Sequence, residues 1–337
     1  MKFKQIALYL FLILFTGFVL YKLFNYSSEE LPPKMIENDE VIENDEVIEN
    51  DEVIENDEVI ENNEVIENDE VIENKRIDNL IIVSITTSPR RINLMKNTID
   101  SIFNQTYPPD LIRINIPKQF KRTGQYYKIP DFLKNNNKIQ IFQYEQDYGP
   151  IMKLLPTLLD YSDHPNANII YVDDDVLMLP HTIETFIKYI NINPNLVYCL
   201  SGFDFKGFDK WTYLNSACYV NLPEGYMSVC LSNAVIKKIK QNSSIEDYYN
   251  FFSKNEYCLT SDDLMIGNFL AMNNIFIYKI YDVKANNILW WKSGCELQYG
   301  KSGDGIQHLG QDQHFTRYNK AFQYLIENNM NFLMVKS

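Results

Sequence analysis

The 337-residue chain is 45% apolar and 14% aromatic, which is enough for a folded domain with a sizeable core. Its net charge of −14 is concentrated, because residues 37–74 hold 18 Asp and Glu and no Lys or Arg, and removal of those 18 charges leaves the rest of the chain at +4. A mildly basic body fits a small phosphate-bearing ligand and is too weakly charged to indicate a nucleic-acid partner.

The N-terminal segment predicts a membrane anchor. Residues 6–24 are apolar apart from a single Lys, and they are long enough to cross a hydrocarbon layer of about 30 Å. The run ends without a small-x-small cleavage site, which favours an uncleaved signal-anchor over a cleaved signal peptide. Basic residues before the run and acidic residues after it place residues 1–5 in the cytosol. We therefore expect a single-pass type II membrane protein facing the Golgi or ER lumen, or in a host membrane if the chain is viral.

An acidic stem is predicted at residues 25–77. Residues 37–72 are six tandem copies of Glu-Asn-Asp-Glu-Val-Ile, with Asn63 in place of one Asp. Six residues advance about 600° around a helix, so the Val-Ile pairs form no continuous apolar stripe. In a strand, each apolar side chain would lie among stacked like charges. Neither structure buries apolar surface, so we expect this stem to be disordered and extended.

From residue 79 onward, strand-like and helix-like segments alternate. Runs rich in β-branched residues predict strands, and apolar spacing predicts helices: the strands at 80–85, 111–116, 138–142 and 168–172, the helices at 92–103, 150–159 and 311–325. This rhythm predicts one α/β domain at residues 78–337, with a mixed, mostly parallel, Rossmann-like sheet flanked by helices. Ligands of such sheets bind beyond the carboxyl ends of the strands.

Three consecutive acids, Asp173, Asp174 and Asp175, follow the strand at 168–172. Adjacent carboxylates raise each other's pKa, and a divalent cation such as Mg²⁺ or Mn²⁺ is the usual remedy. If the strand alternation continued, Asp173 and Asp175 would point to one side and Asp174 to the other. The alternative is a solvated turn that caps a helix opening near Pro180.

Four segments, taken in order, carry a resemblance to a known family. They are Ser84 to Arg91 with Thr98 to Pro108; Asp173-x-Asp175; Glu224-Gly225-Tyr226 with a strand-like run from Met227 to Leu231; and Ser261-Asp262-Asp263-Leu264 at a helix start. Together they resemble family-2-type glycosyltransferases with the GT-A fold, and the acidic element is similar to the DxD motif of that family. The resemblance covers about residues 79–280.

The resemblance implies a nucleotide-sugar site and a divalent metal, Mn²⁺ or Mg²⁺. The implied donor-binding residues are Thr86, Thr87, Arg90, Arg91, Asp147, Gly149, Lys153 and Asp174. The implied metal ligands are Asp173 and Asp175, with His308 as a third. For Arg90, Arg91 and Lys153 the alternative is ordinary surface charge, and for His308 it is a structural or exposed side chain.

The resemblance also implies a catalytic base and an acceptor side. Asp263 is the expected general base, and Asp262 is the competing base. The alternative for both residues is a role in capping the helix that begins there. Glu224 and Gly225 are expected on the acceptor side. Trp290 and Trp291 are candidates for stacking on a sugar ring, with core packing as the alternative.

The expected function is metal-dependent transfer of a sugar from a nucleoside-diphosphate sugar, most commonly a UDP-sugar, to a hydroxyl of a glycan, glycoprotein or glycolipid, with inversion. One rival is a membrane-tethered, catalytically degenerate module that binds carbohydrate or nucleotide-sugar. Another is a nucleotidyltransferase, against which we note that no Gly-rich loop bearing Lys and Arg follows the first strand.

Overall fold

A computed structural model describes residues 79–208, 210–213, 216–242, 244–281 and 311–333, without the side chains of 311–315. The predicted tail, anchor and stem at residues 1–77 lie outside the described residues, as do Trp290, Trp291 and His308. Within the described ranges, no helix has both the length and the apolar character needed to cross a membrane.

An eight-stranded mixed sheet forms the centre of the described domain. Its strands, in spatial order, are β5 (Ile139–Tyr144), β2 (Leu111–Pro117), β1 (Leu80–Ile85), β6 (Ala167–Tyr171), β12 (Val229–Leu231), β7 (Val197–Cys199), β13 (Ile277–Lys279) and β10 (Cys218–Val220). Strands β12 and β10 run opposite to the other six. The predicted α/β class with a mostly parallel sheet is confirmed.

Two smaller sheets lie beside the central one. Strands β8 (Gly202–Gly207), β9 (Lys210–Thr212) and β11 (Leu222–Pro223) form a three-stranded antiparallel sheet, and β3 (Gln119–Phe120) pairs with β4 (Gln125–Tyr126). The sequence patterns did not predict these strands, because runs of two to six residues are too short to establish a period.

Helices connect the strands and cover the sheet. They are α1 (Lys96–Phe103), α2 (Asp131–Lys134), α3 (Leu155–Tyr161), α4 (Thr182–Ile192), α5 (Asn233–Asn242), α6 (Ile245–Phe252), α7 (Glu256–Leu259), α8 (Asp262–Met272) and α9 (Gln311–Glu327). Short 3₁₀ segments cover Gly149–Lys153 and Gly225–Met227.

Strand β6 shows how the sequence builds a core on each face. Ile169 and Tyr171 enter an apolar cluster that includes residues of α3, α5, α6 and α8, whereas Ile170 and Val172 enter a second cluster with residues of α1 and α4. All four side chains are fully buried. Burial on both faces explains why Ile169 to Val172 form a continuous apolar run without polar alternation.

Three predicted boundaries were wrong for local reasons. The first helix begins at Lys96 rather than at 92, because the Ser88 carbonyl accepts hydrogen bonds from the N–H groups of Arg91 and Ile92 and holds this segment in turns. Gly149 has a left-handed φ of 72°, so the helix predicted from 150 opens as a 3₁₀ turn. The run predicted from Met227 pairs only from Val229, after Ser228 at φ 85°.

Candidate active site

The carboxyl edge of the sheet gathers the polar residues that the sequence singled out. The loops after β1 and β6 supply Thr87, Arg91 and the three aspartates, and the segment after β11 supplies Glu224 and Gly225. The 3₁₀ turn before α3 supplies Lys153, and the first turn of α8 supplies Asp262 and Asp263.

Arg91 holds two of the three consecutive aspartates. Its guanidinium forms ion pairs with Asp174 and, at 2.5 Å, with Asp175, and the Thr87 hydroxyl donates a hydrogen bond to Asp174. Burial raises the pKa of Asp175 to about 7, although Arg91 opposes the rise, and it also raises the pKa of Asp174. Asp175 therefore gives up its proton only near neutral pH.

The predicted alternation of the aspartates agrees with their exposure, since Asp173 and Asp175 are partly exposed and Asp174 is buried, but not with their ion pairs. Strand β6 ends at Tyr171, and Asp174 and Asp175 lie in a turn, so the strand period does not reach them. Asp174 and Asp175 share Arg91, whereas Asp173 contacts Lys153.

Lys153 is buried among three carboxylates. Its ammonium is 2.7 Å from Asp173 and from Asp262, and 4.0 Å from Asp263, while the side chain is only 3% exposed. Burial works to lower the pKa of Lys153, but the three negative charges raise it well above its ordinary value. Lys153 therefore stays charged and joins the loop after β6 to the start of α8.

Asp263 is a partly buried carboxyl group in the first turn of α8. Its Oδ1 accepts a hydrogen bond of 3.1 Å from the Gly225 N–H. Burial, and next the charge of Asp262, raise the pKa of Asp263 well above the ordinary range, with Lys153 opposing the rise. A Cβ on Gly225 would lie 2.9 Å from Lys153 Cε and 3.0 Å from Tyr171 Cε2, so a side chain at this position would displace the end of Lys153.

Several buried polar atoms around Lys153 are unsatisfied. In the part of the chain that the structure describes, Tyr171 Oη, Ser261 Oγ and Asp262 Oδ2 have no hydrogen-bond partner. Asp262 Oδ2 is within ion-pair distance of Lys153 but lacks the angle of a hydrogen bond. Orphaned buried polar atoms are uncommon in folded proteins and are frequent where a ligand completes the bonding.

The charges of this cluster do not balance. In the described part of the chain, five carboxylates, those of Asp173, Asp174, Asp175, Asp262 and Asp263, form ion pairs with Arg91 and Lys153, and the charges of Asp262 and Asp263 also act on Arg317, so the carboxylates outnumber these three cations. A surplus of hard oxygen ligands is the chemistry that recruits Mg²⁺ or Mn²⁺. Among the described residues, no group of three or more His, Cys, Asp or Glu is arranged to hold a metal ion.

The other predicted donor residues lie at the same edge with local partners. The Thr86 hydroxyl donates to the Asn115 carbonyl at 2.8 Å. Asp147 accepts hydrogen bonds of 2.8 Å from the N–H groups of Lys121 and Gly149, so it fixes the turn before the 3₁₀ segment. Arg90 is exposed, in contrast to Arg91.

Glu224, which directly precedes Gly225, is held by two hydroxyl groups. It accepts a hydrogen bond of 2.6 Å from Ser201 and one of 3.1 Å from Tyr213. Burial raises the pKa of Glu224, while the two hydrogen bonds oppose the rise.

Sequence reasoning missed three aromatic or basic side chains near the acidic cluster. Tyr171 lies beneath Lys153, with the ammonium 5.7 Å from the ring centroid, but in the sequence it is one more apolar residue of a strand. The charges of Asp262 and Asp263 act on Tyr318 and Arg317 of α9, near the end of the chain. Only the amphipathic spacing of α9 hinted that one face of that helix would pack inward.

Comparisons with known proteins match the chain to solved structures only. No protein-family model and no curated protein sequence matches the chain. Among solved structures, the chain is similar to S. aureus TarS 1-349 in complex with UDP, with a TM-score of 0.38, 13% identity, and coverage of 60% of this chain and 58% of that chain. It is also similar to S. aureus TarS 1-349, with a TM-score of 0.39, 12% identity, and coverage of 73% and 72%. At these TM-scores and identities, neither likeness indicates what the present chain binds.

Proposed function

We propose that the chain is a metal-dependent glycosyltransferase with the GT-A fold. It would move a sugar from a nucleoside-diphosphate sugar, with UDP as the favoured nucleotide, to a hydroxyl group of a glycan, glycoprotein or glycolipid. The observation that carries the proposal is the acidic cluster at the carboxyl edge of the sheet, where Asp173 meets Asp262 and Asp263 around Lys153 while Asp174 and Asp175 share Arg91.

The donor diphosphate is the proposed partner of Arg91 and Lys153. Arg91 lies beside Asp175, and Lys153 lies beside Asp173, so each cation neighbours one proposed metal ligand. Guanidinium and ammonium groups at these positions would offset the phosphate charge. Thr86 and Thr87, at the end of β1, are proposed to face the base and ribose, with Asp147 and Gly149 shaping the adjacent turn.

Asp173 and Asp175 are the proposed metal ligands, because their side chains are 35% and 30% exposed whereas that of Asp174 is 4% exposed. Asp174 would hold Arg91 and Thr87 in place from beneath. When bound, Mn²⁺ or Mg²⁺ supplies the positive charge that stabilises a departing nucleoside diphosphate. His308, outside the described residues, stays a proposal as a third ligand.

Asp263 is the proposed general base. It would take the proton from the acceptor hydroxyl as that oxygen attacks the anomeric carbon on the side opposite the diphosphate, which inverts the configuration. Its raised pKa suits a group that must accept a proton. The Gly225 N–H and Lys153 orient Asp263, while Asp262 is held more closely by Lys153.

The proposed setting is a lumen-facing, single-pass type II membrane protein. Its basis is the apolar run at 6–24 followed by the acidic repeats.

A donor scan tests the proposed function. The full-length chain is incubated with UDP-, GDP- and CDP-sugars, with Mn²⁺ or with EDTA, and release of nucleoside diphosphate is measured. We expect release from one nucleotide class in Mn²⁺ and none in EDTA. Nucleotide binding without release would favour the degenerate module, and metal-independent release would contradict the metal assignment.

A further inference from the structure

Tyr213 is an exposed aromatic residue held in a fixed orientation. It follows β9 directly and exposes 53% of its surface. Its ring packs on Phe203, with centroids 4.7 Å apart and planes 31° apart, and its hydroxyl donates to Glu224 Oε1 at 3.1 Å. The inward face of the ring is thus covered by Phe203, and the outward face is open.

A ring fixed at both ends loses little conformational entropy when a ligand binds to it. Tyrosine combines a large apolar face with two side-chain torsions, and here the Phe203 contact and the hydroxyl hydrogen bond already restrict both. An open, preorganised aromatic face is a binding surface for a ligand with a flat apolar side.

Glu224 supplies polar recognition beside that ring. One carboxylate oxygen accepts from Tyr213 and the other from Ser201. A carboxylate offers about four lone-pair positions, so these two hydrogen bonds leave acceptor capacity for a hydroxyl group. The pairing of an aromatic face with an adjacent carboxylate matches a pyranose ring, which presents C–H groups on one face and hydroxyls around its edge.

The ring is also linked to the proposed base. Glu224 precedes Gly225, whose N–H donates to Asp263 Oδ1 at 3.1 Å. A short series of contacts therefore runs from Tyr213 through Glu224 and Gly225 to Asp263. A sugar bound to Tyr213 would therefore lie beside Glu224, near the proposed base Asp263.

We propose that the open face of Tyr213 and the carboxylate of Glu224 form an acceptor subsite for a pyranose ring. The proposal rests on the proposed glycosyltransferase function and narrows its acceptor to a carbohydrate, with Tyr213 as the binding residue.

The chain offers a matched control. Phe208 lies in the turn of the same β8–β9 hairpin, is 51% exposed, and packs on Phe322 with centroids 5.5 Å apart. It shares the exposure and the ring contact of Tyr213 but has no hydroxyl to bind Glu224.

The test is sugar binding by the full-length chain, measured by saturation-transfer NMR. The probes are methyl α- and β-pyranosides of glucose, galactose, mannose and N-acetylglucosamine. We expect at least one probe to bind, with affinity at least about tenfold weaker in Tyr213→Ala and about threefold weaker in Tyr213→Phe. Affinity should be unchanged in Phe208→Ala. Binding by none of the probes, or equal binding by Tyr213→Ala, would overturn the subsite.

Donor turnover separates this inference from the function on which it rests. In a parallel assay without acceptor, release of nucleoside diphosphate should be equal within about twofold in Phe208→Ala and wild type, since Phe208 belongs neither to the proposed donor site nor to the proposed subsite. Donor release with unaltered sugar binding in Tyr213→Ala would reject the subsite and retain the function. Sugar binding that depends on Tyr213, without donor release under any condition, would reject the function and retain a carbohydrate site.

Discussion

Two buried polar clusters lie side by side on one face of the sheet, and they differ in how completely their groups are paired. Ser84 of β1 and Tyr171 of β6 are direct neighbours in the parallel register. Ser84 belongs to a network in which Asn115 donates to Ser84 at 3.1 Å and to Thr157 at 2.8 Å, and accepts from Arg113 at 2.9 Å. Tyr171 belongs to the acidic cluster, where its own hydroxyl is unsatisfied within the described structure.

Among the described residues, no side chain of the Arg113 network has a buried polar atom without a partner. Arg113 forms an ion pair with Asp160, donates to Tyr144 at 2.6 Å, and lies 3.8 Å above the Phe142 ring. The cluster around Lys153 has surplus carboxylates. The contrast teaches that burial of polar groups does not by itself mark a functional site; incomplete pairing and unbalanced charge do.

The largest expected effect comes from removing a proposed metal ligand. Asp173→Asn or Asp175→Asn should lower the rate of nucleoside-diphosphate release by more than about a hundredfold, because a metal contributes several kcal/mol of charge stabilisation. The circular dichroism spectrum should not change. Asp163→Asn is the control, since Asp163 is an exposed acid paired only with Lys240 on the surface. Rates within a few-fold of wild type in both variants would remove the distinction between the clusters.

The opposite outcome is expected for the complete network. Asn115→Ala removes four hydrogen bonds and leaves buried partners unpaired, so the free energy of unfolding should fall by about 2–4 kcal/mol. Denaturant titration measures this loss, with exposed Asn195→Ala as the control. Nucleotide affinity of the folded variant should stay within a few-fold. A loss of affinity with unchanged stability would place Asn115 in the functional site instead.

An intermediate effect is expected where the chain passes over Lys153. Gly225→Ala introduces a Cβ that meets Lys153 and Tyr171, so Lys153 must move away from its carboxylates. We expect donor release to slow by about tenfold. A matched Gly124→Ala change lies in open space apart from a contact at 3.9 Å, but its φ of 68° strains the backbone, so it controls for strain without crowding. Equal rates in wild type and Gly225→Ala would show that the position of Lys153 does not matter.

The smallest expected effect is a gain of stability in a variant without activity. The folded-state pKa of Asp175 is about 7, above the value of about 3.9 for an unfolded chain. The contribution of Asp175 to stability is therefore full below about pH 4 and is lost as the pH rises through about 7. In EDTA, Asp175→Asn should melt a few degrees above wild type at pH 8, with a smaller difference at pH 5.5. A variant that melts lower than wild type at pH 8 would show that Arg91 outweighs burial.

The sequence predicted the acidic cluster better than the Arg113 network. Asp173 to Asp175 follow an unmistakable apolar strand, and a mostly parallel sheet places such residues at its carboxyl edge. Asp262 and Asp263 are recognisable in the sequence as acidic residues at the start of a helix. Pairing of Lys153 with both groups was not predictable, because it depends on how elements far apart in the chain pack together.

The surroundings of Tyr213 and of Asn115 could not be predicted from the sequence either. Tyr213 owes its position to strands of three to six residues, which carry too little periodicity to be recognised. Arg113 and Asn115 alternate with isoleucines in β2, and the partners of Asn115 come from β1, β2, β5 and α3. Hydrophobic patterns predict which strands are buried, but not which polar groups meet between them.

The most direct test of the central claim is a calorimetric titration of Mn²⁺ into the full-length chain, with and without UDP, GDP or CDP. The incomplete cluster should bind Mn²⁺ weakly alone and at least about tenfold more tightly with the correct nucleoside diphosphate, and Asp173→Asn combined with Asp175→Asn should abolish that enhancement. Mn²⁺ binding that no nucleotide strengthens, or that the double variant retains in full, would contradict the assignment of this cluster as the metal and nucleotide site.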